Sequence, residues 1–224
     1  NPLLLAGAGT PQIRFGADPF RHDNYLYVET QNIELIGRYT MGAHDLMGGI
    51  RTEAIDVNNV FVSSSLGEWS FSNWANYLSG TPASLFLRGA VDPSGGTVPA
   101  SIGTARDGAA VFSYRLNSVY GEDQWQISDT VRLLLGARYD WFSMDDKPIE
   151  NPNFITRHGY SNSQNLDGKS VFLPRASLSW EINDQLELNL GVGRFSSQGL
   201  NVWLSNPFAN DGMRQVNAVC GALG

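Results

Sequence analysis

The chain has 224 residues, of which 42% are hydrophobic, 11% aromatic and only 17% charged, with 24 glycines and a formal net charge of -7. That charge argues against nucleic-acid binding through a broad basic surface, and a soluble mixed domain usually carries about a quarter charged residues. No window approaches the roughly 18 consecutive apolar residues of a membrane helix, which leaves membrane strands open, because their alternation keeps hydropathy low.

Period-two alternation dominates the chain. Over residues 33–40, Ile33, Leu35, Gly37 and Tyr39 alternate with Glu34, Ile36, Arg38 and Thr40. A short polar turn at 41–45 leads into a strand over 46–56, which places Arg51 and Glu53 on one face and Leu46, Gly48, Ile50, Thr52 and Ala54 on the other. Residues 57–108 read as a long connection. Within it Phe71, Trp74, Tyr77 and Leu78 recur at helical spacing, so 71–78 is expected to form a short helix. Its aromatic face either packs on a rim or contacts a ligand. Residues 91–108 are rich in Gly, Pro, Ser and Thr and are expected to be flexible.

A turn at 128–130 precedes the clearest strand, residues 131–139. Val131, Leu133, Leu135, Ala137 and Tyr139 share one face; Arg132, Leu134, Gly136, Arg138 and then Asp140 share the other. A soluble sandwich seldom puts two arginines on a core face, whereas a lipid-facing strand with a wet lumen does so naturally. After a second long connection at 143–170, Ala176, Leu178 and Trp180 alternate with Arg175, Ser177 and Ser179. Past a turn at 183–185, Leu186, Leu188, Leu190 and Val192 alternate with Glu187, Asn189, Gly191 and Gly193. The tail from about residue 197 reads as a third long segment. Short and long connections thus alternate. The expected fold is all-β: an antiparallel transmembrane β-barrel segment, a meander of hairpins with short periplasmic turns and long extracellular loops.

Parity then assigns roles. Glu34, Arg38, Arg51, Glu53, Arg132, Arg138 and Arg175 are expected to face the lumen, binding an internal plug, lining a solvated path or forming a hydrated wall of ion pairs. Tyr39, Trp125, Tyr139, Trp141 and Trp180 lie near strand ends and suit the aromatic belts at lipid headgroups. Ligand contact is assigned to the loop aromatics Trp69, Trp74, Tyr77, Tyr160 and Trp203, which offer area at low entropy cost.

Catalytic chemistry finds no support. Gly-x-Ser-x-Gly, Walker and His-Glu-x-x-His patterns are missing, and His22, His44 and His158 are scattered through turns and loops. Asp140, Asp145 and Asp146 are hard-cation donors in type, but are expected to be solvated. Gly191-Val192-Gly193 lacks the third glycine and the helix of a dinucleotide fingerprint. No enzyme activity, cofactor or metal site is expected. The lone Cys220 is either a buried or loop thiol or half of a disulfide whose partner lies beyond Gly224.

Two stretches resemble the TonB-dependent receptor β-barrel. In YGEDQWQISDTVRLLLGARYDWF, Tyr120, Asp123, Trp125, Leu133, Gly136, Arg138, Tyr139 and Asp140 match a Tyr-x-x-Asp-x-Trp strand end, a short turn and a Leu-x-Leu-x-x-Gly-x-Arg-Tyr-Asp strand, with Val131 standing where the first Leu would be. In FLPRASLSWEINDQLELNLGVGRFSSQGLNVWLSNPF, the match rests on Pro174, Arg175, Trp180, Gly191, Gly193 and Phe195. HDLMGGIRTE and FSNWANYLSGTPASL are similar to the Oar-like branch.

The resemblance implies a bacterial outer-membrane location and energised uptake driven by the TonB complex through a plug domain. The sequence contains neither a plug nor a TonB-contacting box. About 224 residues cannot close a barrel of about 22 strands, so residues 1–224 are expected to be a fragment of the barrel domain. Its partners would be outer-membrane lipid, the TonB complex through the missing plug, and the remaining strands or other chains at its edges, since lipid does not tolerate unpaired strand edges. Two alternatives remain: a small closed outer-membrane barrel acting as a structural protein or adhesin, and a soluble secreted β-sandwich acting as a binding module.

Overall fold

Six antiparallel strands carry the alternating segments. The computed structural model describes residues 3–5, 12–14, 18–82, 84–90, 105–197 and 199–220. In chain order the main sheet contains β3 (Asp23–Met41), β4 (His44–Val62), β7 (Ala110–Ser128), β8 (Val131–Ser143), β9 (Ser170–Asn183) and β10 (Leu186–Gly193). The spatial order is β10-β9-β8-β7-β4-β3, so each strand pairs with its neighbour in the meander. Among the described residues the sheet is not closed: β3 and β10 each keep one unpaired edge.

The three expected tight turns are present, each two residues long between strand ends: Gly42-Ala43, Asp129-Thr130 and Asp184-Gln185. Gly42 has φ 61°, a left-handed conformation in which a side chain is strained. All three turns lie at one end of the sheet, and the long connections lie at the other.

The strands are longer than alternation alone indicates. β3, β4 and β7 each run 19 residues, against about 9–11 for one membrane crossing. The extra length extends toward the long connections. There a second antiparallel sheet forms, in the order β1-β2-β5-β6-β11, from β1 (Leu3–Leu5), β2 (Gln12–Arg14), β5 (Glu68–Phe71), β6 (Ser84–Ala90) and β11 (Gln215–Cys220). The connection expected over 57–108 therefore needs correction. Residues 57–62 finish β4, and β5, a short helix α1 (Trp74–Leu78) and β6 follow. The helix expected over 71–78 begins at Trp74, and Phe71 belongs to β5. Of the stretch expected to be flexible, residues 91–104 lie outside the described residues, and Ala105–Gly108 forms a 3-10 turn. The second long connection carries α2 (Pro152–His158), and the tail carries α3 (Asn201–Ala209) before β11. Cys220 ends β11, in register with Leu85.

The buried core sits at the loop end of the main sheet. Ile55 and Val57 of β4 and Phe112 and Tyr114 of β7 form a cluster with Met144, Phe208 and Ala209. Phe208 of α3 stacks on Phe112 with ring centroids 4.5 Å apart, and the Tyr114 hydroxyl donates to Asn201 Oδ1 at 2.7 Å. α3 is thereby fastened across one face of the sheet. No helix among the described residues is long and apolar enough to cross a membrane.

Candidate functional site

The strand register sorts side chains into two faces. One row runs Glu34–Arg51–Ser118–Asp140 across β3, β4, β7 and β8; the next but one runs Arg38–Met47–Glu122–Gly136–Arg175. Arg132 pairs with Gln126 and Ser179 on the same face. All seven residues assigned to the lumen from sequence parity therefore share one face of the sheet, together with Glu122, Asp140 and Tyr120.

That face is a lattice of short polar contacts. Arg138 Nε donates to Asp140 Oδ1 at 2.6 Å and its Nη2 to Ser118 Oγ at 2.7 Å. Arg51 donates to Glu53 and to Asn32, both at 2.9 Å. Arg132 Nε donates to Gln126 Oε1 at 3.2 Å. Arg175 pairs with Glu122 from two strands away. The intervening Gly136 makes this contact feasible, since a Cβ there would lie 3.0 Å from Arg175 Nε and 3.2 Å from Glu122 Cβ. The Tyr120 ring lies over Gly49, and its hydroxyl donates to Glu34 Oε1 at 2.6 Å. The Arg138 guanidinium stands 5.8 Å from that ring's centroid, within cation–π range.

The opposite face is apolar and uncovered. Its rows include Leu35–Ile50–Val119–Tyr139–Phe172 and Tyr39–Leu46–Asp123–Leu135–Ala176. Ile33, Leu35 and Val192 are 72%, 68% and 76% exposed. Burying one such side chain is worth about 1.5–3 kcal/mol, so leaving this many in water is untenable for a soluble wall. The five residues assigned to aromatic belts all project from this face, in two groups. Tyr39, Trp125 and Trp180 lie toward the tight turns; Tyr139 and Trp141, stacked at 5.8 Å, lie toward the loops. From Leu133, level with Trp125, to Trp141 the strand covers about 26 Å at roughly 3.3 Å per residue. A tilt of about 40° lowers its height to about 20 Å, close to the apolar band of a barrel, about 25 Å. A polar contact on this face, His44 Nδ1 to Asp123 Oδ2 at 2.8 Å, lies at the turn end, where His44 also stacks on Trp125.

The TonB-dependent receptor-like β-barrel family matches residues 6–212 of the chain. The chain belongs to this family. Comparison with curated proteins and with solved structures gives no match. The family is one of transporters, and the two-faced meander is the wall such a barrel requires.

For this barrel wall, the loop aromatics fall into three separate groups. Trp69 lies on β5, and Trp74 and Tyr77 lie on α1 in the same connection, with Tyr77 stacked on Trp74 at 5.1 Å. Tyr160 contacts Phe154 and His158 beside α2. Trp203 projects, exposed, from α3. No ring contact joins the three groups among the described residues.

Of the carboxylates weighed as cation donors, Asp145 is exposed, as expected, whereas the other two have protein partners. Asp140 is buried against Arg138, and Asp146 accepts from Ser113 N at 2.7 Å. No group of three or more metal-ligand side chains occurs among the described residues.

Sequence reasoning did not find the apolar seal under α3. Its signal is in the chain: on β4 and β7 the parity carrying Arg51, Glu53 and Ser118 continues into Ile55, Val57, Tyr114 and Phe112. A polar face turning apolar toward one end marks where another segment covers it.

Proposed function

We propose that the chain forms part of the wall and outer loops of a TonB-dependent transporter in the bacterial outer membrane, where energy from the TonB complex, received through a plug domain, drives uptake of a ligand caught by the loops. On this reading residues 1–224 are a fragment of the barrel domain. The apolar face meets lipid, and Glu34, Arg38, Arg51, Glu53, Arg132, Arg138 and Arg175 face the lumen. The tight turns are periplasmic; the loops bearing Trp69, Trp74, Tyr77, Tyr160 and Trp203 are extracellular. The free edges of β3 and β10 pair with further barrel strands. HDLMGGIRTE and FSNWANYLSGTPASL favour the Oar-like branch. The role is transport, with no catalytic step assigned to any residue.

One observation carries the proposal: a continuous sheet with an exposed apolar face close in height to the apolar band of an outer-membrane barrel, backed by a face of interlocked charges. A soluble sandwich would bury the first face, and a small closed barrel would pair β3 with the last strand. The test is cysteine substitution at neighbouring positions of β8 in a Cys220→Ser background of the complete protein. A membrane-impermeant thiol reagent is expected to label Arg132→Cys from the aqueous lumen and to spare Leu133→Cys. The reverse pattern refutes the assignment.

A further inference from the structure

The loop between β4 and β7 carries a run of four aromatic side chains. Trp69 and Phe71 lie on the same side of β5, because successive residues of a strand alternate. Phe71 meets Tyr77 edge-on with centroids 5.4 Å apart, and Tyr77 stacks on Trp74 at 5.1 Å with an interplanar angle of 29°. The two tryptophans at the ends of the run are 42% and 56% exposed. Phe71, Tyr77 and Trp74 contact one another in series rather than disappearing into a core, and Trp69 joins them only through its place on the same side of β5 as Phe71.

The frame beneath them is built from side-chain hydrogen bonds. Asn73 caps α1 by accepting from Asn76 N at 2.8 Å, and Asn76 Nδ2 donates to Ser72 Oγ at 2.8 Å. Ser79 Oγ donates to Thr81 Oγ1 at 3.1 Å, and Gly80, at φ 69°, turns the chain back toward β6. The platform is thus positioned before any ligand arrives, which lowers the entropy lost on binding.

Two features define the ligand class. From Trp69 to Leu87 there is no charged side chain, with Glu68 and Arg88 standing just outside the two ends, and Glu68 falls on the side of β5 opposite Trp69 and Phe71. The polar groups interleaved with the rings are amides and hydroxyls alone, which both donate and accept. A sugar ring presents the complement: a face of C–H bonds that suits the negative face of an aromatic ring, and a rim of hydroxyls that exchanges hydrogen bonds with amides. We propose that Trp69, Phe71, Tyr77 and Trp74 form a stacking platform for a neutral saccharide. This assignment deepens, and rests on, the reading of this loop as an extracellular ligand-contacting segment.

The test uses the complete protein, purified in detergent micelles, with maltohexaose, cellohexaose and laminarihexaose as probes and an oligogalacturonate hexamer as the acidic counterpart. Calorimetric titration is expected to give saturable binding of at least one neutral hexaose. Trp74→Ala and Trp69→Ala are each expected to weaken it about tenfold or more, the loss typical of a central aromatic anchor, whereas Leu66→Ala, on an exposed turn, leaves it unchanged. Circular dichroism and detergent-resistant mobility show that the variants are folded. Absence of binding by all three neutral hexaoses, equal binding by the tryptophan variants, or preference for the acidic hexamer overturns the assignment. A Trp74→Cys variant in a Cys220→Ser background tests the underlying reading separately. Labelling by an impermeant maleimide on whole cells supports the extracellular placement, and labelling from the periplasmic side alone overturns it whatever the titrations show.

Discussion

Gly49→Ala tests the polar lattice with a single methyl group. A Cβ on Gly49 would lie 2.5 Å from the Tyr120 hydroxyl oxygen, 2.6 Å from Cζ and 2.8 Å from the backbone oxygen of Leu35. Real side chains do not approach so closely, so the Tyr120 ring must swing away while β3 and β4 shift slightly apart. The swing breaks the 2.6 Å hydrogen bond from Tyr120 to Glu34 and removes the ring from under Arg138. Overpacking of this kind costs about 1–3 kcal/mol. The hydrogen bond and cation–π contact, both partly exposed, add about 1 kcal/mol, for an expected loss of roughly 2–4 kcal/mol.

Urea unfolding of the complete protein in lipid vesicles, followed by tryptophan fluorescence, measures this loss. Tyr120→Phe keeps the ring and is expected to cost only about 0.5–1.5 kcal/mol. The double variant Gly49→Ala, Tyr120→Ala is expected to be less damaging than the sum of its parts, because the methyl group then occupies space the ring has left. The remaining Leu35 contact keeps it below wild type. If Gly49→Ala falls within about 0.5 kcal/mol of wild type, or if the two changes simply add, the ring is not seated on Gly49.

Three further outcomes follow from the same geometry. Arg138→Ala strands the buried Asp140 carboxylate and is expected to cost about 1–3 kcal/mol, discounted from fully buried pairs because Arg138 is a third exposed; Asp140→Asn in the same chain is expected to recover part of it in the vesicle unfolding assay. Ile50→Arg, near the middle of the apolar face, is expected to destabilise by about 2–4 kcal/mol, while Ser177→Arg on the opposite face changes stability little; equal losses would contradict the two-faced wall. Phe208→Ala removes the ring stacked on Phe112 and, by the usual cost of an aromatic core truncation, weakens the α3 attachment by about 3–5 kcal/mol. Limited proteolysis of whole cells is expected to cut within 199–214 in that variant and to spare the wild type.

The middle of each strand was legible in the sequence because there one face is apolar and the other polar, and a one-residue slip would exchange them. The ends were not. On β3, read back from Ile33, the apolar parity passes through Gln31 and Glu29 before reaching Tyr27, so the pattern loses contrast well inside the strand, about eight residues after its start at Asp23. Beyond the apolar band, neither face has a fixed partner phase to enforce alternation. β5 and β6 were missed because they are short and because β6 pairs with β11, whose residues lie far away in sequence. The tail was read only as a third long segment, and α3 within it carries Pro207 in its last turn, where a missing backbone donor disrupts little of what precedes it. Within the polar face, Arg51–Glu53 and Arg138–Asp140 are two residues apart and can be seen in the sequence. Glu122–Arg175 depends on the register of three strands and on the absence of a side chain at Gly136, which no linear pattern reveals.

The 19-residue span of β4 also governs where recognition takes place. From Thr52, level with Trp141 through Asn117, to Val62, the strand runs about 33 Å past the loop-side aromatic belt, a rise of about 25 Å at a tilt of about 40°. On the proposed orientation the loops are therefore mounted on a stiff collar that stands clear of the lipid headgroups, rather than hanging from the membrane surface as slack tethers. A bulky molecule arriving from outside would meet that collar first and be oriented well before it reached the level of the bilayer. On the same orientation, an antibody or a phage tail approaching from outside would find this raised rim as its nearest handhold.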